Sequence, residues 1–214
     1  MATQLQLYNT ALRCIGARPL ESLTEEQEAR RYLDASGDLA LDTCLRNGFW
    51  NFAMRVTKRT PDAIAPEFDF TFAYTKPSDW VRTRNISASQ TLSPPLVRFQ
   101  DESGFWVCDV NPLYVRYVSN DANFGGDLSI FPPDYLEFVG AYLGSLVYSQ
   151  VTGHGIDEHA AYKKTVLEPA KKAALANDAM DGPAEQRPLG SWASARRSTG
   201  RVLSIQGGML RLGG

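Results

Sequence analysis

The sequence predicts an α+β protein that is mainly α: a helical bundle of about four helices with a small inserted antiparallel β region and an extended C-terminal arm. Three observations predict this. Apolar residues recur at helical spacing in residues 1–49 and again in 132–181. Residues 50–131 alternate apolar and polar positions, as strands do. Residues 182–214 are rich in Gly, Ser and Arg and have few residues that could form a core. These ranges are the predicted bundle, β-rich insertion and arm.

The composition limits the function classes. With 214 residues and 43% hydrophobic content, the chain can form a sizeable core. The net charge of -2 argues against a nucleic-acid or membrane footprint over the whole surface, so any such footprint is local. Cys14, Cys44 and Cys108 are odd in number and widely spaced, which predicts free thiols in a reducing compartment. No segment approaches the roughly 18 apolar residues of a membrane span, so we expect no membrane partner.

Two capping boxes predict the first two helices. Thr3 with Gln6 opens a short amphipathic helix that ends at Gly16. Thr24 with Gln27 is expected to open a longer helix that runs to about residue 47.

A cluster of aromatic residues follows the second helix. Gly48 is expected to end that helix with a positive φ, and Phe49, Trp50 and Phe52 then place three large rings within four residues. The favoured interpretation is a hydrophobic lock that fastens the helices to a sheet. The alternative is an aromatic box that stacks on a ligand.

Alternation predicts several short strands in one small sheet. The strongest pattern places Phe68, Phe70, Phe72 and Tyr74 on one side. Further strands are expected over 52–56, 80–86, 97–99, 105–108 and 113–118. After a Gly- and Pro-rich loop, a third helix starts at Asp134, and a fourth starts near Asp157 with a kink expected at Pro169.

Motifs for catalysis or cofactor binding are absent from the sequence, so we expect no enzyme, no cofactor and no metal site. His154 and His159 are five residues apart, which does not match paired helical metal ligands, and surface or capping roles are expected. Asp101, Glu102 and Asp109 lie at strand ends without an evident basic partner. They are expected to be solvated.

The arm carries a local positive charge. Its residues 183–214 contain five Arg and one Glu, with no Lys or Asp, so 5 minus 1 gives +4. We expect it to fold on a partner, although a disordered tail is the alternative. The residues expected to bind a partner are Arg187, Trp192, Arg196, Arg197, Arg201, Leu203, Ile205, Leu210 and Arg211. A protein partner is favoured. A nucleic-acid-binding module that uses Trp192, Arg196 and Arg197 is the second hypothesis.

Four short segments occur in order along the chain: Leu7-Tyr8-Asn9-Thr10-Ala11-Leu12 with Ile15-Gly16, Phe49-Trp50-Asn51-Phe52-Ala53, Tyr74-Thr75-Lys76-Pro77-Ser78-Asp79-Trp80, and Val115-Arg116-Tyr117-Val118 before Phe131-Pro132-Pro133. Together they resemble the tail tubular protein A family, the head-to-tail adaptors of tailed phages. The resemblance covers about residues 4–180. Lys76 departs from the family, which usually has Leu there, and the arm matches no motif of the family.

The resemblance implies a structural virion protein. Such proteins form a homo-oligomeric ring, here of twelve subunits, between the portal protein and the tail tube or nozzle protein, and DNA passes through the lumen without sequence-specific binding. The expected location is the head-tail junction of a virion assembled in the host cytoplasm. No catalytic activity and no cofactor are implied.

Overall fold

The computed structural model describes residues 2–63, 66–67 and 69–182, and it confirms a mixed helix-and-sheet protein. The helices are α1 (Gln4–Cys14), α2 (Glu28–Arg46), α3 (Pro133–Thr152), α4 (Ile156–Tyr162) and α5 (Glu168–Asp181), and the strands are β1 (Met54–Arg59), β2 (Phe72–Thr75), β3 (Trp80–Ser87), β4 (Gln100–Asp101), β5 (Phe105–Cys108) and β6 (Leu113–Ser119). Short 3-10 helices occupy Asn51–Ala53 and Leu128–Ile130. The predicted arm lies outside the described residues except for Gly182.

The strands form two antiparallel sheets, whereas the sequence predicted one. The first sheet has the order β1-β6-β3 and the second has the order β2-β5-β4. In the first, Met54 pairs with Val118 and Arg59 pairs with Leu113. In the second, Phe72 pairs with Cys108. Alternation reveals which face of a strand is apolar but not which strand lies beside it, so it could not separate β5 and β6 into different sheets.

The strand predicted around residues 68–74 is only partly correct. Strand β2 starts at Phe72, since its partner β5 offers only four residues for pairing. Ahead of it, Asp69 has a φ of 64° and leaves the extended conformation. The Thr71 N–H and hydroxyl both donate to Asp109 Oδ1 at 3.0 Å. The Asp109 carboxylate therefore takes the place of a strand partner at this end.

Helix α1 begins as predicted and helix α2 does not. The Thr3–Gln6 capping box is present in both directions at the start of α1. The Thr24–Gln27 box is wrong, because α2 begins at Glu28 and its N-cap residue Gln27 makes no side-chain capping bond. The Thr24 hydroxyl lies 2.9 Å from the hydroxyl of Ser22, and Gln27 Nε2 donates to Glu25. Both side chains are used inside the turn ahead of the helix.

Helix α3 contacts α1, α2 and α5. Its glycines allow a close approach to α1: a Cβ at Gly140 would lie 2.5 Å from Thr10 Cγ2, and one at Gly144 would lie 3.0 Å from the Ala11 carbonyl oxygen. The close packing of α3 on α1 therefore depends on these two glycines. Between α4 and α5, a π-helical segment covers Lys163–Leu167 directly ahead of Pro169, where the sequence predicted a kink. Proline cannot donate to the preceding turn, which favours such a widened segment.

Two hydrophobic cores meet at strand β6. The first core joins the helices with Trp50, Ala53 and Val118. The second lies among the strands and contains Trp106, Val115 and Tyr117. Since side chains of a strand alternate between faces, β6 contributes Val118 to one core and Val115 and Tyr117 to the other. This strand thereby connects the helical part to both sheets.

All three cysteines are free thiols, as expected. Cys44 and Cys108 are buried and Cys14 is half-buried. Among the described helices, none combines the length and the apolar character required to cross a membrane.

Candidate functional site

The segment after α2 is the best candidate for a structural site, because it joins the helices to the first sheet. Helix α2 ends at Arg46, and its C-cap Asn47 has an ordinary helical φ of -73°. Asn47 Nδ2 donates to the Thr43 carbonyl at 2.8 Å, which satisfies one of the free carbonyls at the helix end.

Gly48 does not have the positive φ that the sequence predicted. Among the described residues, glycines with positive φ are Gly16 and Gly153. A Cβ at Gly48 would instead lie 2.6 Å from Trp50 Cε2 and 2.8 Å from Cζ2. Glycine is needed here because the indole ring packs directly on its backbone. The predicted residue is correct and its predicted reason is wrong.

We call the segment from Asn47 to Met54, which links α2 to β1, the joint. Trp50 is the most buried aromatic residue of this segment. Its side chain is buried, with 1% of the residue exposed, and its Nε1–H donates to the Cys44 carbonyl at 3.0 Å. The ring lies 4.7 Å from the Tyr135 ring in an edge-on arrangement and 6.0 Å from the Phe138 ring. Since α2 and α3 enclose the indole, it offers no face to a ligand. This burial favours the predicted lock at Trp50 over the aromatic box.

Phe52 extends the same aromatic cluster. Its ring lies 4.9 Å from Tyr135 and 5.4 Å from Phe131, which lies two residues before α3 begins at Pro133. We define the Trp50 cluster as Trp50, Phe52, Phe131, Tyr135 and Phe138. It attaches the short 3-10 helix Asn51–Ala53, and with it the start of β1, to helix α3.

Phe49 takes a different role from its neighbours. It is half-buried. The guanidinium groups of Arg82 and Arg84 lie over its ring, 4.3 Å and 5.8 Å from the ring centre. Arg82 also donates to the Arg46 carbonyl at 3.2 Å. Phe49 thus joins the end of α2 to strand β3 through cation–π contacts. Sequence patterns could not predict this pairing, because these residues are more than thirty positions apart.

Helix α5 closes the joint from another side. The Asn51 N–H donates to Asp178 Oδ1 at 2.8 Å, and Asn51 Nδ2 donates to the Asp178 carbonyl at 2.5 Å. Lys171 Nζ donates to Asn47 Oδ1 at 2.9 Å. Burial raises the pKa of Asp178, although the hydrogen bond from Asn51 opposes the shift.

A second attachment is polar and centres on Asp79. This carboxylate accepts hydrogen bonds from Arg55 Nη1 at 2.9 Å, Tyr117 OH at 3.1 Å and Ser119 Oγ at 2.5 Å. Burial alone would raise the pKa of Asp79, but the bonds from Ser119, Arg55 and Tyr117 together bring it below the usual value. We call Asp79, Arg55, Tyr117 and Ser119 the Asp79 network. It joins the start of β3 to β1 and β6.

Lys76, the departure from the family pattern, is buried despite its charge. Its side chain is only 5% exposed, and Nζ lies 3.9 Å above the Trp80 ring. Nζ also donates to Asp101 Oδ1 at 2.5 Å and to the Glu102 carbonyl. The expectation that Asp101 lacks a basic partner is therefore wrong. It is also wrong for Asp109, which pairs with Arg98 at 3.3 Å.

The two histidines both contact one aromatic ring. His154 and His159 both stack on Tyr148, with centroid distances of 6.0 and 5.4 Å, and His159 Nε2 lies 3.0 Å from Ser145 Oγ. His159 is half-buried in this contact, whereas His154 is exposed. Within the described ranges, no three His, Cys, Asp or Glu side chains come together as a metal site would require.

The nine residues expected to bind a partner, from Arg187 to Arg211, lie outside the described residues. No protein-family model matches the chain, and no curated protein sequence matches it significantly. In the described part, the candidate site is a structural link between the helices and the first sheet. Its aromatic rings and hydrogen bonds fix the orientation of the first sheet on the helices.

Proposed function

We propose that this chain is a structural virion protein, a head-to-tail adaptor that forms a ring of about twelve subunits between the portal and the tail tube or nozzle. DNA passes through the lumen of the ring. The chain has no catalytic role and needs no cofactor. In this proposal the residues are selected for shape and stiffness, because a ring closes only when each subunit meets its neighbour at a fixed angle.

One observation supports the proposal most directly: three of the four segments that resemble the adaptor family lie at the joint, and the first packs on the same helix α3. The first segment supplies Thr10 and Ala11, which α3 approaches closely. The second segment contains Trp50 and Phe52, which contact α3.

The other two segments also lie at this joint. The third supplies Asp79, whose carboxylate accepts from Tyr117 of the fourth. The fourth also contributes Val118 to the first core and ends with Phe131 against Phe52. Residues that a family keeps for assembly are expected at such points, where a small change in angle displaces everything beyond it.

In the proposed arrangement, the helices form the mainly α bundle of the ring, with α3 at its centre, and the strands of residues 54–119 form the inserted β region. Residues 182–214 form the arm, which holds the portal or an adjacent subunit through its five arginines and its apolar residues.

The oligomeric state tests this proposal. We expect the purified full-length chain, alone or mixed with the cognate portal, to form a species of about twelve subunits. Light scattering coupled to size exclusion would measure its mass, and negative-stain electron microscopy would show its ring shape. A chain that stayed monomeric both alone and with the portal, and that was absent from purified virions, would overturn the proposal.

A further inference from the structure

The first sheet has one face that the helices cover only at its end. In an antiparallel sheet, residues directly opposite each other share a face. Val118 therefore shares its face with Met54 and Arg82, at the end that enters the first core. Further along, Arg116 lies opposite Val56, and Tyr114 lies opposite Lys58. This second part of the face continues away from the helices.

The exposure of the side chains shows that this part of the face is open along β1 and at Arg84 of β3, whereas Ser87, opposite Tyr114, is buried and donates to the Pro94 carbonyl. Val56 is 49% exposed, and Lys58 and Arg84 are exposed. Arg84 lies at an irregularity in the pairing of β3 with β6, and its guanidinium shares the Phe49 ring with that of Arg82. The two arginines are therefore on the same side of the sheet.

Four cations lie on or beside this open face, and we call them the basic strip: Lys58, Arg82, Arg84 and Arg116. Among the described residues, none of the four has a carboxylate within 4.0 Å. The carboxylate of Asp178 lies close enough to Arg84 for the guanidinium to lower the pKa of Asp178. Burial of Asp178 has the larger effect and raises this pKa. The strip carries +4 in a chain of net charge -2, so the rest of the chain carries -2 minus 4, or -6.

We propose that the basic strip binds the phosphate backbone of duplex DNA without reading its sequence. Along β6, the strip extends from the level of Val118 to that of Tyr114, which is about 14 Å at the usual rise of a strand. A duplex carries about eight phosphate charges over that length of its axis. Four cations distributed over three strands can therefore contact several phosphates at once.

The surface fits duplex DNA better than it fits a single-stranded nucleic acid, a protein partner or a lipid surface. Phe49 has its ring occupied by two guanidinium groups and Tyr114 is half-buried, so neither offers the open platform on which single-stranded bases stack. Val56 is the exposed apolar residue of the face, which is little for the apolar centre of a protein interface or for insertion into a lipid surface. Interfaces with duplex DNA are polar and positively charged, as this one is.

This inference adds a contact surface to the proposed function, but it does not depend on ring formation. DNA binding is measured on the chain in whatever oligomeric state it adopts. Failure to bind DNA would leave the ring proposal intact, and failure to form a ring would leave the binding surface intact.

The test compares three cations of the strip with three cations elsewhere. The variant Lys58→Gln/Arg84→Gln/Arg116→Gln removes three charges from the strip. The control Lys163→Gln/Lys164→Gln/Lys172→Gln removes the same charge from exposed residues of the C-terminal helices. Binding of a fluorescent 20-base-pair duplex to the full-length chain is measured by anisotropy between 50 and 200 mM salt, with two unrelated sequences.

We expect duplex binding that is independent of sequence and falls with salt. Each phosphate contact contributes about 0.9 to the slope of log affinity against log salt, so the strip variant should lose about 2.7 from this slope and the control close to none. Equal losses in both variants would overturn the proposal, as would preferential binding of polyglutamate or of a single strand.

Two further variants keep the result interpretable. Lys58→Gln/Arg84→Gln changes only exposed side chains, so it should fold even if Arg116→Gln does not, and it should lose about 1.8 from the slope. Replacement of Arg187, Arg196, Arg197 and Arg201 by Gln tests the arm in the same chain. If the arm variant lost all duplex binding and the strip variants lost none, the assignment to the strip would be wrong.

Discussion

The two attachments at the joint use opposite physical chemistry. The Trp50 cluster is dry and aromatic: Trp50 is 1% exposed and its single polar atom bonds to the Cys44 carbonyl. The Asp79 network is charged and only partly buried, with 13% of the Asp79 side chain exposed, and three side chains donate to one carboxylate. One attachment holds β1 to the helices, and the other holds β1, β3 and β6 to one another.

The difference indicates how each attachment responds to its surroundings. An aromatic cluster is stabilised by apolar burial and packing, which vary little with pH or salt. A partly buried carboxylate with several donors forms directional hydrogen bonds, so it fixes geometry more closely, but these bonds depend on its ionisation. When both are present, the aromatic cluster contributes most of the stability. The polar network contributes the directional hydrogen bonds that fix the angles between strands.

The largest expected effect follows removal of the aromatic anchor. Trp50→Ala should lower the free energy of unfolding by about 3–5 kcal/mol, because it leaves a cavity between α2 and α3 and removes the indole hydrogen bond to the Cys44 carbonyl. Urea unfolding followed by circular dichroism measures this. We also expect Trp50→Ala to impair ring assembly more than it reduces helix content.

Trp106→Ala is the matched control, since Trp106 is equally buried but lies among the strands, where its Nε1 donates to Thr83. Its loss of stability should be similar and its effect on assembly smaller. Normal ring formation by a folded Trp50→Ala chain would contradict the role assigned to the joint.

A smaller effect is expected at the polar attachment. Asp79→Ala should lower the free energy of unfolding by about 2–3 kcal/mol, because Arg55, Tyr117 and Ser119 lose their shared acceptor. Chemical unfolding at pH 7 measures it. Asp79→Asn keeps the shape and one acceptor oxygen, so it should lose less.

The pH dependence distinguishes the two attachments further. The folded-state pKa of Asp79 is below its usual value, so its contribution is present above the unfolded pKa and is lost as the pH falls through the folded pKa. The difference between wild type and Asp79→Ala should therefore shrink in acid, whereas the difference for Trp50→Ala should not. A constant Asp79 difference down to pH 2 would contradict the network.

The smallest effect is expected at Gly48. Gly48→Ala should destabilise the chain by about 1–2 kcal/mol, because its Cβ would press on the Trp50 indole. The loss should disappear in a Trp50→Ala background, where the ring is absent. Gly104→Ala is the control, since nothing lies within 4 Å of a Cβ there. If Gly48→Ala were equally harmful without the indole, the packing explanation would be wrong.

Local patterns predicted the elements whose stability is mostly local. The Thr3–Gln6 box depends on residues three apart, and the start of α3 depends on Pro133 and the following apolar face. The Thr24–Gln27 box failed because nearby side chains of Ser22 and Glu25 competed for the same groups. The aromatic lock was predictable at Trp50 and Phe52, since large apolar rings must be buried.

By itself, the sequence determined the mixed helix-and-sheet class, most of the helix and strand positions, and the importance of the segment around Trp50. Only the tertiary structure decided that Gly48 is required by the indole ring, that Phe49 supports Arg82 and Arg84, that Asp79 joins three strands, and that four cations share one open sheet face. The physical reason is distance along the chain. Periodicity and capping depend on neighbours within a few residues, whereas each of these contacts except that of Gly48 joins residues more than twenty positions apart. Even the Gly48 contact depends on an indole orientation that α3 imposes.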